Sequence, residues 1–310
     1  MEGKKAPEVL YHYCSVHTFY NIIRNCSIWL SDISKSNDSL ELKWIKGRCS
    51  YYLLRSWIDY AKEVQKLDQH GTIDFEEFDR LHKIVNELIK NETEKCWVFC
   101  LSEKQDDLGQ WRGYADDGYG ISIGFNTSFF QHTTDSIEID KNDPVSVLFD
   151  CVSYSEKEIE SFFYNTCELS SITPQMSSEE VISKLRKAVV YSLWGTPFYK
   201  NSKFAEEEEW RLVFSILTNE LNNGKNPKVE FEKLFPQNKI LYDFTIRGSN
   251  LISHIEFGDK DMRRNISEIW IGPKCELTTA DIKLFLISKG FLRDFKDDSI
   301  RIHESNASYR

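Results

Sequence analysis

The stretch Glu206-Glu207-Glu208-Glu209-Trp210-Arg211-Leu212-Val213-Phe214 runs from four carboxylates straight into an aromatic and aliphatic segment. With a period of two, Glu207, Glu209 and Arg211 point one way and Trp210, Leu212 and Phe214 the other, the alternation of a β-strand. A strand at about 208–215 then buries its apolar side and displays two carboxylates and a guanidinium on its opposite face. Like charges two residues apart, roughly 7 Å along a strand, cost energy unless a positive group or a hydroxyl-rich ligand sits between them. The stretch reads either as a strand facing a ligand or as an edge strand whose charges meet water. Parity leaves Glu206 and Glu208 to solvent or to the entry of a site.

Outward from this stretch the chain alternates between strand and helix patterns. Leu10-Tyr11-His12-Tyr13-Cys14 is a run of β-formers; Ser15 then offers an N-cap, and Val16, Phe19, Ile22, Ile23 and Cys26 recur at helical spacing. Ile28-Trp29-Leu30 returns to strand character, and Ser34 to Ser39 is a loop. From about 42 to 92 the pattern is helical, with Asp74 and Glu77 as a capping box, and predicts a helical insertion or cap on a β core. Strands follow at Trp97–Ser102 and Tyr119–Phe125, with Leu108–Ala115 as the loop between them. The glycines of the second strand imply close backbone packing.

Residues 126–143 read as a polar connection, and Val145–Tyr154 as a strand. Ser177 and Glu180 cap a helix whose apolar stripe is Val181, Leu185, Ala188, Val189 and Leu193. Strands are expected at 239–244, 252–257 and 266–271, then a last helix capped by Thr278 and Asp281 and stopped at Gly290. Strands and helices mix without regular βαβ alternation. The expected fold is α+β, a mainly antiparallel, split β-sheet core with flanking helices, forming a single domain over residues 1–310.

Composition narrows the function classes. A chain of 310 residues with 41% hydrophobic content and 20 Phe, 14 Tyr and 8 Trp can build a large, β-rich core. A net charge of −10 argues against a protein that lives on nucleic acid by neutralising phosphates. The N-terminus lacks the apolar stretch of a signal peptide, and no run of about 18 apolar residues occurs, so a cytoplasmic protein away from membranes is expected. The eight cysteines form no Cys-x-x-Cys pair and read as free, mostly buried thiols. Cys96 and Cys100 would lie about 13 Å apart on one strand face, too far to share a metal ion.

Four groups could carry chemistry: His12 between two tyrosines, Asn37-Asp38-x-x-Glu41, Gln110-Trp111-x-x-Tyr114, and Glu207-x-Glu209-x-Arg211. A Trp or Tyr in a loop just before a strand is free to stack on a ligand ring. No phosphate-cradling glycine loop, nucleophile elbow or His-Glu-x-x-His motif is present.

Taken in order, these groups resemble an uncharacterised bacterial family, domain of unknown function 2971. The resemblance includes Cys100-Leu101-Ser102, Gly120-Ile121-x-Ile123-x-Phe125, Val152-x-Tyr154, Glu207-x-Glu209-Trp210-Arg211 and Ile269-Trp270-Ile271-Gly272-Pro273. More distantly, a strand with His12 followed at once by Thr18-Phe19-x-x-Ile22-Ile23 resembles the opening of ADP-ribosyltransferases of the His-Tyr-Glu class. That resemblance implies an ADP-ribosyltransferase-like fold with NAD as substrate. It makes His12 the ribose-holding histidine, Glu209 the catalytic glutamate and Glu207 its second carboxylate. Tyr114 or Tyr119 becomes the stacking tyrosine, with Tyr13, Trp111 and Arg211 beside them around the NAD. The Ser-Thr-Ser strand of the arginine-modifying toxins is absent.

Three functions stay open. The first is an NAD-using ADP-ribosyltransferase or NAD glycohydrolase, as effector of a bacterial defence or toxin system, with a protein or nucleic-acid acceptor and a protein partner that activates or inhibits it. The second is a metal-dependent hydrolase or nuclease built on Asp38, Glu41, Glu207 and Glu209. The third is a non-catalytic recognition domain in which Glu207, Glu209 and Arg211 form a structural ion-pair ladder.

Overall fold

In the computed structural model, residues 4–35, 93–135, 145–166 and 176–309 are described, together with isolated positions between 44 and 87. The expected insertion at about 42–92 lies almost wholly outside the described residues, as do Asp38 and Glu41. The first strand, β1 (Val9–Cys14), leads into α1 (Val16–Asn25) and β2 (Ser27–Asp32). The Ser15 hydroxyl caps α1 by accepting the Thr18 N–H, and Cys26 in the left-handed region (φ 49°) closes it. Then come β3 (Glu94–Ser102), α2 (Leu108–Tyr114), β4 (Ile121–Asn126), α3 (Ser128–Asp135), β5 (Val145–Cys151), α4 (Glu156–Thr166) and α5 (Ser178–Gly195). The remainder is β6 (Glu209–Leu217), α6 (Thr218–Asn222), α7 (Pro227–Leu234), β7 (Lys239–Arg247), β8 (Asn250–Gly258), α8 (Met262–Asn265), β9 (Ile266–Ile271), α9 (Thr279–Ser288) and β10 (Arg301–Glu304).

The described strands form one open, ten-stranded sheet in a mixed α/β protein. Every pairing is antiparallel except β9 with β10. The decisive feature is β3. It pairs with β6 along its whole length, from Glu94↔Leu217 to Ser102↔Glu209. Trp97 and Val98 also pair with Asp32 and Ser31 of β2, and Ser102 with Tyr11 of β1. A strand has only two edges, so β1 and β2 must share the edge that β6 leaves free. Between them, around Phe99–Leu101, the ladder is interrupted and the sheet is split. Beyond the split, β1 continues to β4 and β9, while β2 continues to β8 and β7.

Alternation sorts the side chains onto two faces. Leu10, Phe99, Leu101, Ile123, Trp210, Leu212 and Phe214 lie on one face, in the main core beneath α1, α3, α7 and α9. The other face carries an aromatic cluster of Tyr11, Tyr13, Trp111 and Trp270, and a second cluster of Val98, Val213 and Phe198. The expected caps are present: Ser177 with Glu180 on α5 and Thr278 with Asp281 on α9 are both reciprocal capping boxes. Gly120 is required by its surroundings, because a Cβ there would lie 2.2 Å from the Cys14 carbonyl oxygen.

Several expectations are corrected. The strand expected at about 208–215 is no edge; β6 is flanked by β3 and β5, and residues 209–216 are all buried. It starts at Glu209, because Ser202–Glu207 is a 3₁₀ turn ended by Glu208 in the left-handed region (φ 44°). Glu207 therefore leaves the strand parity assigned to it. Leu108–Tyr114 is a helix rather than a loop, capped by the Asp107 side chain, which accepts the Gln110 N–H. The supposed polar connection after residue 126 contains α3, held by Phe129 and Phe130, which are buried at 5% and 0% exposure.

Candidate functional site

A pocket of about 80 Å³ opens on the second face, where β1 parts from β3. Tyr11 and Tyr13 of β1 and Cys100 and Ser102 of β3 form its walls. Gln110 and Tyr114 of α2 close one side, and Glu207 and Glu209 the other. An outer pocket of about 180 Å³ shares Gln110, Tyr114 and Glu207 with it and adds Asp107 and Glu206. The Tyr114 hydroxyl donates to Glu207 Oε1 at 2.8 Å, across the boundary between the two.

Glu209 is held on both oxygens. Arg211 Nε donates to Oε1 at 2.8 Å and Nη2 to Oε2 at 2.9 Å, a bidentate pair buried to 2% and 7% side-chain exposure. Arg211 Nη1 goes to the Pro197 carbonyl at 2.6 Å. Between the two carboxylates sits Lys200, 1% exposed, with Nζ 2.6 Å from Glu207 Oε2 and 3.1 Å from Glu209 Oε2. Burial pushes the Glu209 carboxyl upward, but the Arg211 and Lys200 charges, with hydrogen bonds from Arg211 and Cys100, outweigh it and hold the group at about 2. Glu209 is thus an ionised anchor. Glu207 is only half-buried and is the carboxylate that shares both pockets.

His12 and Glu209 line the same pocket, yet their side chains start from opposite faces. His12 pairs with Ile123 on the core face, whereas Glu209 pairs with Ser102 on the other. The imidazole enters the pocket at the split. It stacks on Phe99 at 4.2 Å between centroids, and Nδ1 lies 2.9 Å from the Cys100 carbonyl at the open edge of β3. A carbonyl only accepts, so Nδ1 carries the proton and Nε2 is left as an acceptor. Burial lowers the ring's pKa to about 4, against the pull of the Cys100 carbonyl, so the imidazole is neutral at pH 7.

The other sequence candidates divide. Tyr13 lines the pocket, and its hydroxyl donates to the Lys104 carbonyl at 2.8 Å and accepts the Asp107 N–H at 3.1 Å. Tyr114, 42% exposed, stands at the mouth. Trp111 is fully buried, edge-on to Tyr13, with its indole N–H on Asp106 at 2.7 Å, so it offers no ring face for stacking. Its helical placement turns it inward, where a loop would have left it free. Tyr119 lies outside both pockets, 52% exposed, with Lys274 Nζ 5.5 Å from its ring. Arg211 reaches the site only through Glu209.

Several residues of the site escaped the sequence reading, among them Tyr11, Cys100 and Ser102 on the pocket walls. Lys200 has no periodic signature, although a lysine directly after Pro197-Phe198-Tyr199 is a weak signal of a paired, buried cation. Gln110 was legible as part of a motif but not as a pocket residue, because its exposure to the pocket depends on the turn of α2. Among the described residues, no group of three or more His, Cys, Asp or Glu is placed to hold a metal ion, and no helix is long and apolar enough to cross a membrane.

The fold and site together define a mixed α/β protein with a small acidic and aromatic pocket at the split of an antiparallel sheet. The resemblance to domain of unknown function 2971 holds: residues 110–212, from α2 into β6, match the model of the family described as Protein of unknown function (DUF2971). No curated protein and no solved structure gives a significant match to the chain.

Proposed function

We propose that the chain is an NAD-using ADP-ribosyltransferase or NAD glycohydrolase whose reacting groups meet at the split between β1 and β3. The observation that supports this reading is the convergence of His12, Tyr114, Glu207 and Glu209 on one pocket. The inner pocket, with room for about six waters, is on the scale of one ring, and it opens through Gln110, Tyr114 and Glu207 into the outer pocket. In this reading Glu207, half-buried at the junction of the two pockets, meets the substrate, while Glu209 stays buried in its bidentate pair with Arg211.

The chemistry follows from the charges. As the bond between nicotinamide and ribose opens, its electron pair leaves with the nicotinamide and positive character builds on the ribose. A carboxylate against that ribose stabilises the developing charge. The acceptor hydroxyl, or water, forms the new bond and gives up its proton to Glu207. Neutral His12 offers Nε2 to a ribose hydroxyl, and Lys200 holds the two carboxylates in place.

Purified protein incubated with NAD should release free nicotinamide, and Glu207→Gln should slow that release by about 100-fold or more. No release with protein, nucleic-acid or water acceptors, or equal release by the variant, sinks the reading. The buried bidentate Glu209–Arg211 pair favours one competitor, a recognition domain in which these charges only hold the sheet together. In that case Glu207→Gln leaves every ligand response unchanged.

A further inference from the structure

The hairpin of β7 and β8 ends one arm of the sheet, and among the described strands β7 pairs with β8 alone. Its ladder runs from Lys239↔Gly258 to Arg247↔Asn250 with no bulge and no proline, and a two-residue turn starting at Gly248 (φ 59°) closes it. A nine-residue edge strand without such interruptions presents a regular row of N–H and C=O groups to any strand that meets it. One face of this hairpin belongs to the main core. Ile240, opposite Phe257, is 2% exposed, and Tyr242, opposite Ile255, is half-buried and edge-on to Trp97. The same face then runs out past the core: Phe244 is 50% exposed, Ile246 75%, and Leu251, opposite Ile246, 64%. Ile246 and Leu251 are the most exposed large hydrophobic side chains among the described residues. Single apolar residues at a surface need no explanation, whereas a stripe that carries the core face out to a free edge marks an interaction surface.

We infer that β7 is a dimerisation strand, pairing antiparallel with β7 of a second copy about a two-fold axis at Phe244. A two-fold makes the strand its own partner, so the position of the axis fixes every cross-strand pair. An axis at Asp243 gives the longest overlap but sets two carboxylates directly opposite, a destabilising pair. An axis at Tyr242 leaves Ile246 and Leu251 beyond the overlap, and one at Thr245 shortens the overlap to residues 243–247. The axis at Phe244 overlaps residues 241–247 of both copies. It sets Phe244 against Phe244 and Ile246 against Tyr242, with Leu251 beside Ile246 on the same face, and Asp243 meets Thr245 rather than another charge. The exposed stripe thus matches itself, apolar to apolar, which singles out a second copy as its occupant. The interface is independent of the chemistry at the β1–β3 split.

The test is sedimentation equilibrium of the purified full chain, with cross-linking to fix the register. The wild type should show a monomer–dimer equilibrium populated by about 100 μM. Ile246→Asp, at a position 75% exposed in the single chain, should weaken association at least about tenfold while circular dichroism reports an unchanged fold. Phe244→Cys, opposite itself at the axis, should cross-link two chains under mild oxidation beyond the wild-type level. Lys239→Cys, at the far end of β7 from the axis, should not. A wild-type chain that stays monomeric at about 100 μM overturns the inference. So does association indifferent to Ile246→Asp, or cross-linking no greater for Phe244→Cys than for Lys239→Cys.

Discussion

Arg211 and Glu209, two residues apart on one central strand, face each other through two parallel hydrogen bonds of 2.8 and 2.9 Å. Both are buried, and the Glu209 charge is tolerated because Arg211, with Lys200 at 3.1 Å, offsets it. Arg211→Met should leave Glu209 with Lys200 but without its bidentate partner and cost about 3–5 kcal/mol in urea unfolding. The double variant Arg211→Met with Glu209→Gln should recover much of that loss. A double variant no more stable than the single one would show that the arginine's contact with Pro197, and not its charge, carries the effect.

The site also sets the response to acid. The His12 ring binds its proton at about 4 in the folded chain against an ordinary value of 6.5, so the unfolded chain protonates first. Its contribution to stability is therefore complete above pH 6.5 and lost as the pH falls towards 4. Glu209, held at about 2 against 4.5, contributes above pH 4.5 and loses that contribution as the pH falls towards 2. Melting curves of His12→Gln should show a shallower fall between pH 6.5 and 4 than the wild type, with the fall below 4.5 retained. Parallel curves over the upper window would assign that slope to other groups.

Trp111 holds α2 to the sheet, and α2 carries Gln110 and Tyr114. Trp111→Ala empties a fully buried site and removes the bond to Asp106, and should cost about 3–5 kcal/mol. Amide exchange should rise first in α2. Loss of stability with unchanged protection there would mean that Asp106 and Tyr13 hold the helix without the indole.

Tyr114→Phe tests the mouth. The residue is 42% exposed, so removing its hydroxyl should shift unfolding free energy by less than about 0.5 kcal/mol. Freed of that donor, Glu207 keeps only Lys200, and nicotinamide release from NAD should fall about tenfold. An unchanged rate removes Tyr114 from the mechanism.

Much of the fold was legible because its signals are local. Ser15, Ser177 and Thr278 announce their helices through side chains three residues from the N–H groups they cap. The errors have local causes too. Left-handed Glu208 breaks a pattern that looked continuous from Glu207 to Phe214. The short helix Leu108–Tyr114 carries two glycines and gave no clear helical stripe.

The amino-acid pattern by itself determined nine of the ten strands, the helices capped by Ser15, Ser177 and Thr278 and the burial of Trp210, Leu212 and Phe214, since period and capping depend on neighbours a few residues away. Only the tertiary structure decided that β1 and β2 share one edge of β3, that His12 enters the resulting gap, and that Lys200 stands between Glu207 and Glu209. Those relations join residues about a hundred positions apart or across separate turns. They follow from which edges are free once β6 has taken the other side of β3, a competition that no stretch of sequence records on its own.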